Sequence, residues 1–221
     1  MSICSMKKRH PLQWLFFMIG ISVMSFGIVL MIKADLGSAP WDVLHIGLFE
    51  HFGLTIGTWS IIMGFFVLGS ASLLTKSLPQ TGAFLNMLLV GIFIDMYLLI
   101  PFLQTPDSLG FQIIMLIIGI VVIGYGMGLY IAADCGIGPR DSLMIALVKM
   151  TGMKIQWIRL LMEIVVLSFG WLLGGPVFIG TIIFCLTIGH VVGLTLPHCQ
   201  RLVDRVMNLH VSASESVNHR I

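Results

Sequence analysis

Six long apolar runs, near 11–33, 56–75, 80–101, 110–133, 155–173 and 176–196, dominate the chain. About 20 apolar residues in helical form cross a ~30 Å hydrocarbon layer, and in that layer the backbone must satisfy its own N–H and C=O groups. The runs therefore predict an all-α polytopic membrane protein with six transmembrane helices and the lipid bilayer as its solvent. Gly and Pro punctuate them at Pro79, Pro106, Gly174, Gly175, Pro176 and Pro197. Two further apolar pieces, 41–52 and 140–151, would be only ~15–18 Å long as helices at 1.5 Å per residue. Neither can cross alone, so each is expected to be re-entrant or interfacial.

Of 221 residues, 57% are hydrophobic and 10% charged, against roughly 25% charged in a soluble domain, so no water-covered domain is expected. A net charge of +2 with scattered basic residues argues against a nucleic-acid partner. Cys4, Cys135, Cys185 and Cys199 lack metal-ligand spacing, and no disulfide is expected. Lys7, Lys8 and Arg9 precede the apolar run from Pro11 to Ile32, which is too long for a signal sequence and lacks a small-residue cleavage site, so it reads as a retained first helix.

Placing the amino end in the cytoplasm puts Lys7, Lys8, Arg9, Lys76, Arg140, Lys149, Lys154, Arg159, Arg201, Arg205 and Arg220 inside, with only Lys33 outside. Counting the short pieces as crossings would move Lys76 and Arg140 outside, so charge bias also favours six spans. The expected organisation is a cytoplasmic amino terminus at 1–10, a three-span unit at 11–101, an external loop at 102–109, a second three-span unit at 110–196 and a cytoplasmic segment at 197–221, an interfacial helix with a frayed end.

An internal repeat joins the two units. Residues 34–44, Ala-Asp-Leu-Gly-Ser-Ala-Pro-Trp-Asp-Val-Leu, return 99 positions later at 133–143 as Ala-Asp-Cys-Gly-Ile-Gly-Pro-Arg-Asp-Ser-Leu. Gly20 and Gly27 match Gly119 and Gly126 at the same shift, and with one residue dropped Gly82 and Gly91 match Gly180 and Gly189. Three crossings per unit is an odd number, so the second unit should enter from the opposite face. An inverted repeat of this kind recurs among secondary transporters, whose interrupted helices meet near the midplane.

Within each copy, Gly37 or Gly136 is suited to stopping a helix in a left-handed conformation, and Pro40 or Pro139 to starting the next. Asp42 and Asp141, two residues further on, are placed to cap the new helix and oppose its positive end; Asp35 and Asp134 suit turns at the membrane boundary. The functional reading makes these four carboxylates part of a solute pathway, with two exposed helix ends able to bind an anionic group. The units differ where Trp41 is replaced by Arg140 and Gly64 by Glu163. Glu163 lies one turn beyond Arg159, in an apolar run where an unpaired charge costs a few kcal/mol. It is expected to pair with Arg159 or Arg140, to serve a substrate or proton, or both. Asp95 is expected at a hydrated outer boundary, and Asn86 can hydrogen-bond between helices.

His45, Glu50, His51, His190 and His198 lack the grouping a metal requires. The many glycines suit close helix packing, and Gly124, Gly126 and Gly128 lack the strand-to-helix setting of a nucleotide site. With no P-loop, HExxH or nucleophile elbow, neither an enzyme nor a cofactor is expected.

Through A-D-L-G-x-x-P-W-D-V-L at 34–44, G-P-R-D-x-L-M at 138–144, the entries into the following spans at 53–56 and 151–155, and the turn at Gly174–Val177 followed by Ile179–Ile182, the chain resembles the YczE-like family of bacterial inner-membrane proteins, related to the YitT group. Cys135 and His190 depart from the small or apolar residues expected there. The resemblance implies a polytopic plasma-membrane protein and names no substrate. It leaves three expectations: a transporter or exporter of a small anionic solute, built as a dimer, with Arg140 as anion binder and Glu163 as ion or proton partner; a non-transporting partner of a biosynthetic or envelope complex; and a passive channel, for which no charged ring is evident.

Overall fold

The computed structural model describes residues 11–218 as eight helices. Lys7, Lys8, Arg9, Cys4 and Arg220, and with them the expected terminal segment 1–10, lie outside the described residues. In order they are α1 (Pro11–Ala34), α2 (Pro40–Phe52), α3 (Ile56–Thr75), α4 (Thr81–Leu98), α5 (Leu109–Ala132), α6 (Pro139–Thr151), α7 (Ile155–Leu172) and α8 (Ile179–Asn218). Six of these, all but α2 and α6, are long and apolar enough to cross a membrane. The protein is thus an all-α, six-span membrane protein with two extra short helices.

Local chemistry sets the boundaries. Pro40 and Pro139 open α2 and α6, where a missing N–H costs nothing. Thr55 and Ser108 cap α3 and α5 by accepting from the backbone N–H of Thr58 and Phe111. The left-handed residue that stops each long helix is the aspartate rather than the expected glycine: Asp35 has φ 54° and Asp134 φ 51°, a conformation Asp tolerates better than most residues. Gly37 and Gly136 follow at φ 104° and 141°, for a tertiary reason given below. Pro197 was expected to end the last span, yet α8 continues through it to Asn218. Membrane helices tolerate proline because neighbouring groups can take up the freed carbonyl.

The core lies where α1 and α5 pack along each other. Gly20 abuts Gly126 and Tyr130, whereas Gly27 abuts Gly119 and Ile123, so rising positions on α1 meet falling positions on α5 and the two helices run antiparallel. Around them the units exchange elements: α2 packs on α7 and α3 on α6, while α4 and α8 flank α1 and α5. The breaks are seated reciprocally. Gly37 lies against Phe178 and Thr181 at the start of α8, and Gly136 against Gly82 and Ala83 at the start of α4. A side chain at either glycine would strike that neighbouring helix start. The Gly180 N–H donates to the Leu36 carbonyl at 2.7 Å, and at the matching place Gly82 rests on the Cys135 carbonyl.

One seam differs between the units. Gly57 and Gly91 bring α3 and α4 into backbone contact, each lying against the carbonyl oxygen of the other. The Asp95 carboxylate accepts there from the Thr55 hydroxyl at 2.6 Å and the Gly57 N–H at 2.8 Å. Asp95 is therefore a structural clasp between two helices, not only a hydrated boundary group. Among the described residues no matching seam joins α7 to α8, and Gly189 and Gly193 face open space.

Candidate functional site

All eight helices contribute to a cavity of about 150 Å³ between the two units. The first turns of α2 and α6 meet in it. Its lining is organised by the repeat: apart from Val67, Met87 and Tyr130, every lining residue has its counterpart from the other unit beside it, including Trp41 with Arg140, Asp42 with Asp141, Met63 with Met162 and Gly64 with Glu163. A cavity lined by counterpart pairs is one that the two units form by facing each other.

Pairing across the units is direct. The Arg140 guanidinium lies over the Trp41 ring at 4.8 Å from its centroid, a favourable placement of a cation on an aromatic face. Its Nη2 is 4.0 Å from Asp42 Oδ1. Arg140 therefore leans on its own counterpart and on the next residue, and the two breaks lock together. The partners differ in enclosure, Asp42 being 2% and Arg140 41% exposed, so of the two charges the arginine is the accessible one.

Asp42 does not act as the cap its position suggested. Among the described residues its Oδ1 has no hydrogen-bond partner, and neither has Nδ1 of His45, one turn on and 3.8 Å away. Both side chains are 2% exposed. The Asn86 side-chain nitrogen is another buried polar atom at the cavity without a partner. Such groups cost free energy in an apolar interior unless something pairs with them, and their convergence on one cavity marks it as the place to look for a ligand.

The remaining sequence candidates separate into two groups. Asp141 and Glu163 line the cavity, and Arg159 Nε donates to Glu163 Oε1 at 3.1 Å, which is the i to i+4 pair the sequence offered. Asp35 and Asp134 are exposed turn residues and line no part of it. Gly37 and Gly136 hold the breaks against α8 and α4, and Pro40 and Pro139 line the cavity. Sequence reading left His45 aside, and the i, i+3 spacing from Asp42 was the signal that could have joined them. It also missed the methionines: Met24, Met63, Met87, Met127, Met144 and Met162 form much of the wall, and scattered spacing hid their convergence. Thioether side chains are polarizable and adapt to irregular apolar ligands. Among the described residues no group of His, Cys, Asp and Glu is arranged to hold a metal.

Residues 11–197 match the family model described as "Family of unknown function (DUF6198)". The chain belongs to this YczE-like family. It is 42% identical over 201 residues to "Uncharacterized membrane protein YczE" of Bacillus subtilis (strain 168), covering 90% of this chain and 92% of that one. An "Uncharacterized protein" of Haemophilus influenzae is 34% identical over 185 residues, 82% of each chain, and "Uncharacterized protein YyaS" of Bacillus subtilis is 28% identical over 191 residues, 86% of this chain and 95% of its own. No solved structure matches significantly. The matched span reaches from the start of α1 into α8 and so includes every cavity residue. The family relationship therefore covers the whole site.

Proposed function

We propose that the protein is a small-solute transporter of the bacterial inner membrane, working by alternating access around the two helix breaks, with Arg140 binding an anionic solute. The observation that carries this reading is the cavity itself, closed by a cation from one unit and buried carboxylate and imidazole groups from the other. The antiparallel run of α1 against α5 and the reciprocal seating of the two breaks support an inverted repeat, the architecture in which two similar units exchange inward and outward openings. Charge bias supports cytoplasmic ends for the chain. A volume of about 150 Å³ suits a benzene-sized body, and the methionine wall suits an apolar one. In this reading Glu163 serves as ion partner through its pair with Arg159, and the uncovered Gly189 and Gly193 on α8 favour a homodimer through that face.

The test is uptake of a panel of radiolabelled small organic anions, benzenesulfonate included, into proteoliposomes. Saturable uptake is expected, lost in Arg140→Ala and altered in Glu163→Gln. Uptake that does not saturate would indicate a channel. Absence of flux together with recovery of defined partner proteins from the membrane would indicate a supporting role in a complex, and transport would be abandoned.

A further inference from the structure

The reading of Arg140 as an anion binder leaves the buried pair Asp42 and His45 without a task. We infer that this pair is a proton site coupled to the anion: when the solute takes Arg140, Asp42 loses the cation beside it and the pair takes up one proton. The inference rests on the anion reading above and goes beyond it by naming the coupling ion.

The geometry makes Asp42 and the solute competitors. Asp42 Oδ1 is 4.0 Å from Arg140 and 3.8 Å from His45 Nδ1, and neither Oδ1 nor Nδ1 has a hydrogen-bond partner. A lone carboxylate in such surroundings is costly, and a proton added to the adjacent imidazole supplies the cation that then pairs with the carboxylate.

The charge balance of the cavity points the same way. Asp42 and His45 on α2 face Arg140 and Asp141 on α6, Arg159 and Glu163 on α7, and the Tyr130 phenol on α5. With His45 and Tyr130 neutral, these groups carry one net negative charge before any solute arrives. Arg159 is committed to Glu163 at 3.1 Å, so an entering anion adds a second negative charge where only Arg140 is available to meet it. One proton from water, returned to water on release, restores the starting charge. The site is single because the second unit keeps the carboxylate, Asp141, but has Met144 where the first has His45. Intramembrane Asp and His groups commonly serve as proton relays for this electrostatic reason.

The test uses the full chain in lipid nanodiscs and benzenesulfonate, which stays ionised at neutral pH and carries no proton of its own. Bound anion is measured by equilibrium dialysis, and proton uptake with a pH-indicator dye in weak buffer. Wild type is expected to take up a sizeable fraction of one proton, up to about one, per anion bound. Asp42→Asn, having lost the competitor, should bind about tenfold more tightly with little or no proton uptake. His45→Gln should also lose most of the uptake, and decides the matter if Asp42→Asn does not fold. Anion binding by wild type with no proton uptake overturns the coupling and leaves the Arg140 reading standing. Binding that is absent, or unchanged in Arg140→Ala, overturns the anion reading and the coupling with it.

Discussion

Asp95 and Asp42 are carboxylates in a largely apolar chain, and their neighbours set their roles. Asp95 accepts from a hydroxyl and a backbone N–H across the α3 and α4 seam, so its charge is satisfied within the fold. Hydrogen bonds to a charged group contribute about 1.5–3 kcal/mol each. Asp95→Ala is therefore expected to lower unfolding stability in mild detergent by about 2 kcal/mol or more, read as a shifted denaturation midpoint, with anion binding retained in the protein that folds. Asp42 lacks such partners and instead faces a cation. Arg140→Ala should weaken binding of an anionic probe by about tenfold to a hundredfold, the range of one or two charge-assisted contacts. Arg140→Lys should recover only part of this, because a lysine lacks the planar group that stacks on Trp41. Equilibrium dialysis against the three forms checks both statements.

The two short helices depend on glycine contacts outside themselves. Gly37 and Gly136 are pinned against the starts of α8 and α4, so each break is held by a helix from the other unit. The seam between α3 and α4 likewise depends on Gly57 and Gly91. Gly91→Leu should destabilise by about 1–3 kcal/mol, the usual cost of forcing side-chain atoms into a filled contact. Gly189→Leu, at the matching position on α8, has open space and should leave the stability of detergent-dispersed monomers close to wild type. Thermal denaturation of both variants in one detergent compares them. Equal losses would mean that α8 is covered in the folded chain.

For the whole molecule, the proposed topology predicts that the two breaks face opposite sides of the membrane. Asp35 and Asp134 are both exposed, which makes them suitable positions for single cysteines in a cysteine-free background. Asp35→Cys should label with an impermeant thiol reagent from outside and Asp134→Cys only from inside. Labelling of both from one side would remove the inverted topology and the alternating-access reading with it. Cys185 is exposed on α8 near Gly189. A chain retaining only Cys185 should form an oxidative dimer in membranes if α8 meets α8, visible as a band of doubled mass on a non-reducing gel.

Much of this architecture was legible in the residue order, because lipid imposes a strict rule: a span needs about 20 apolar residues in a self-satisfied helix. The six spans, the helix breaks at 35–39 and 133–138 and the pair of Arg159 with Glu163 all follow from length, punctuation and helical spacing, which are local properties. The repeat showed that Trp41 and Arg140 are counterparts, but not that they touch. That contact, the isolation of Asp42 and His45, the seating of Gly37 on α8 and the gathering of methionines into one wall were decided by tertiary packing. They depend on how the two units close against each other. Distances between residues 99 positions apart are set by that closure and leave no periodic trace in either unit alone.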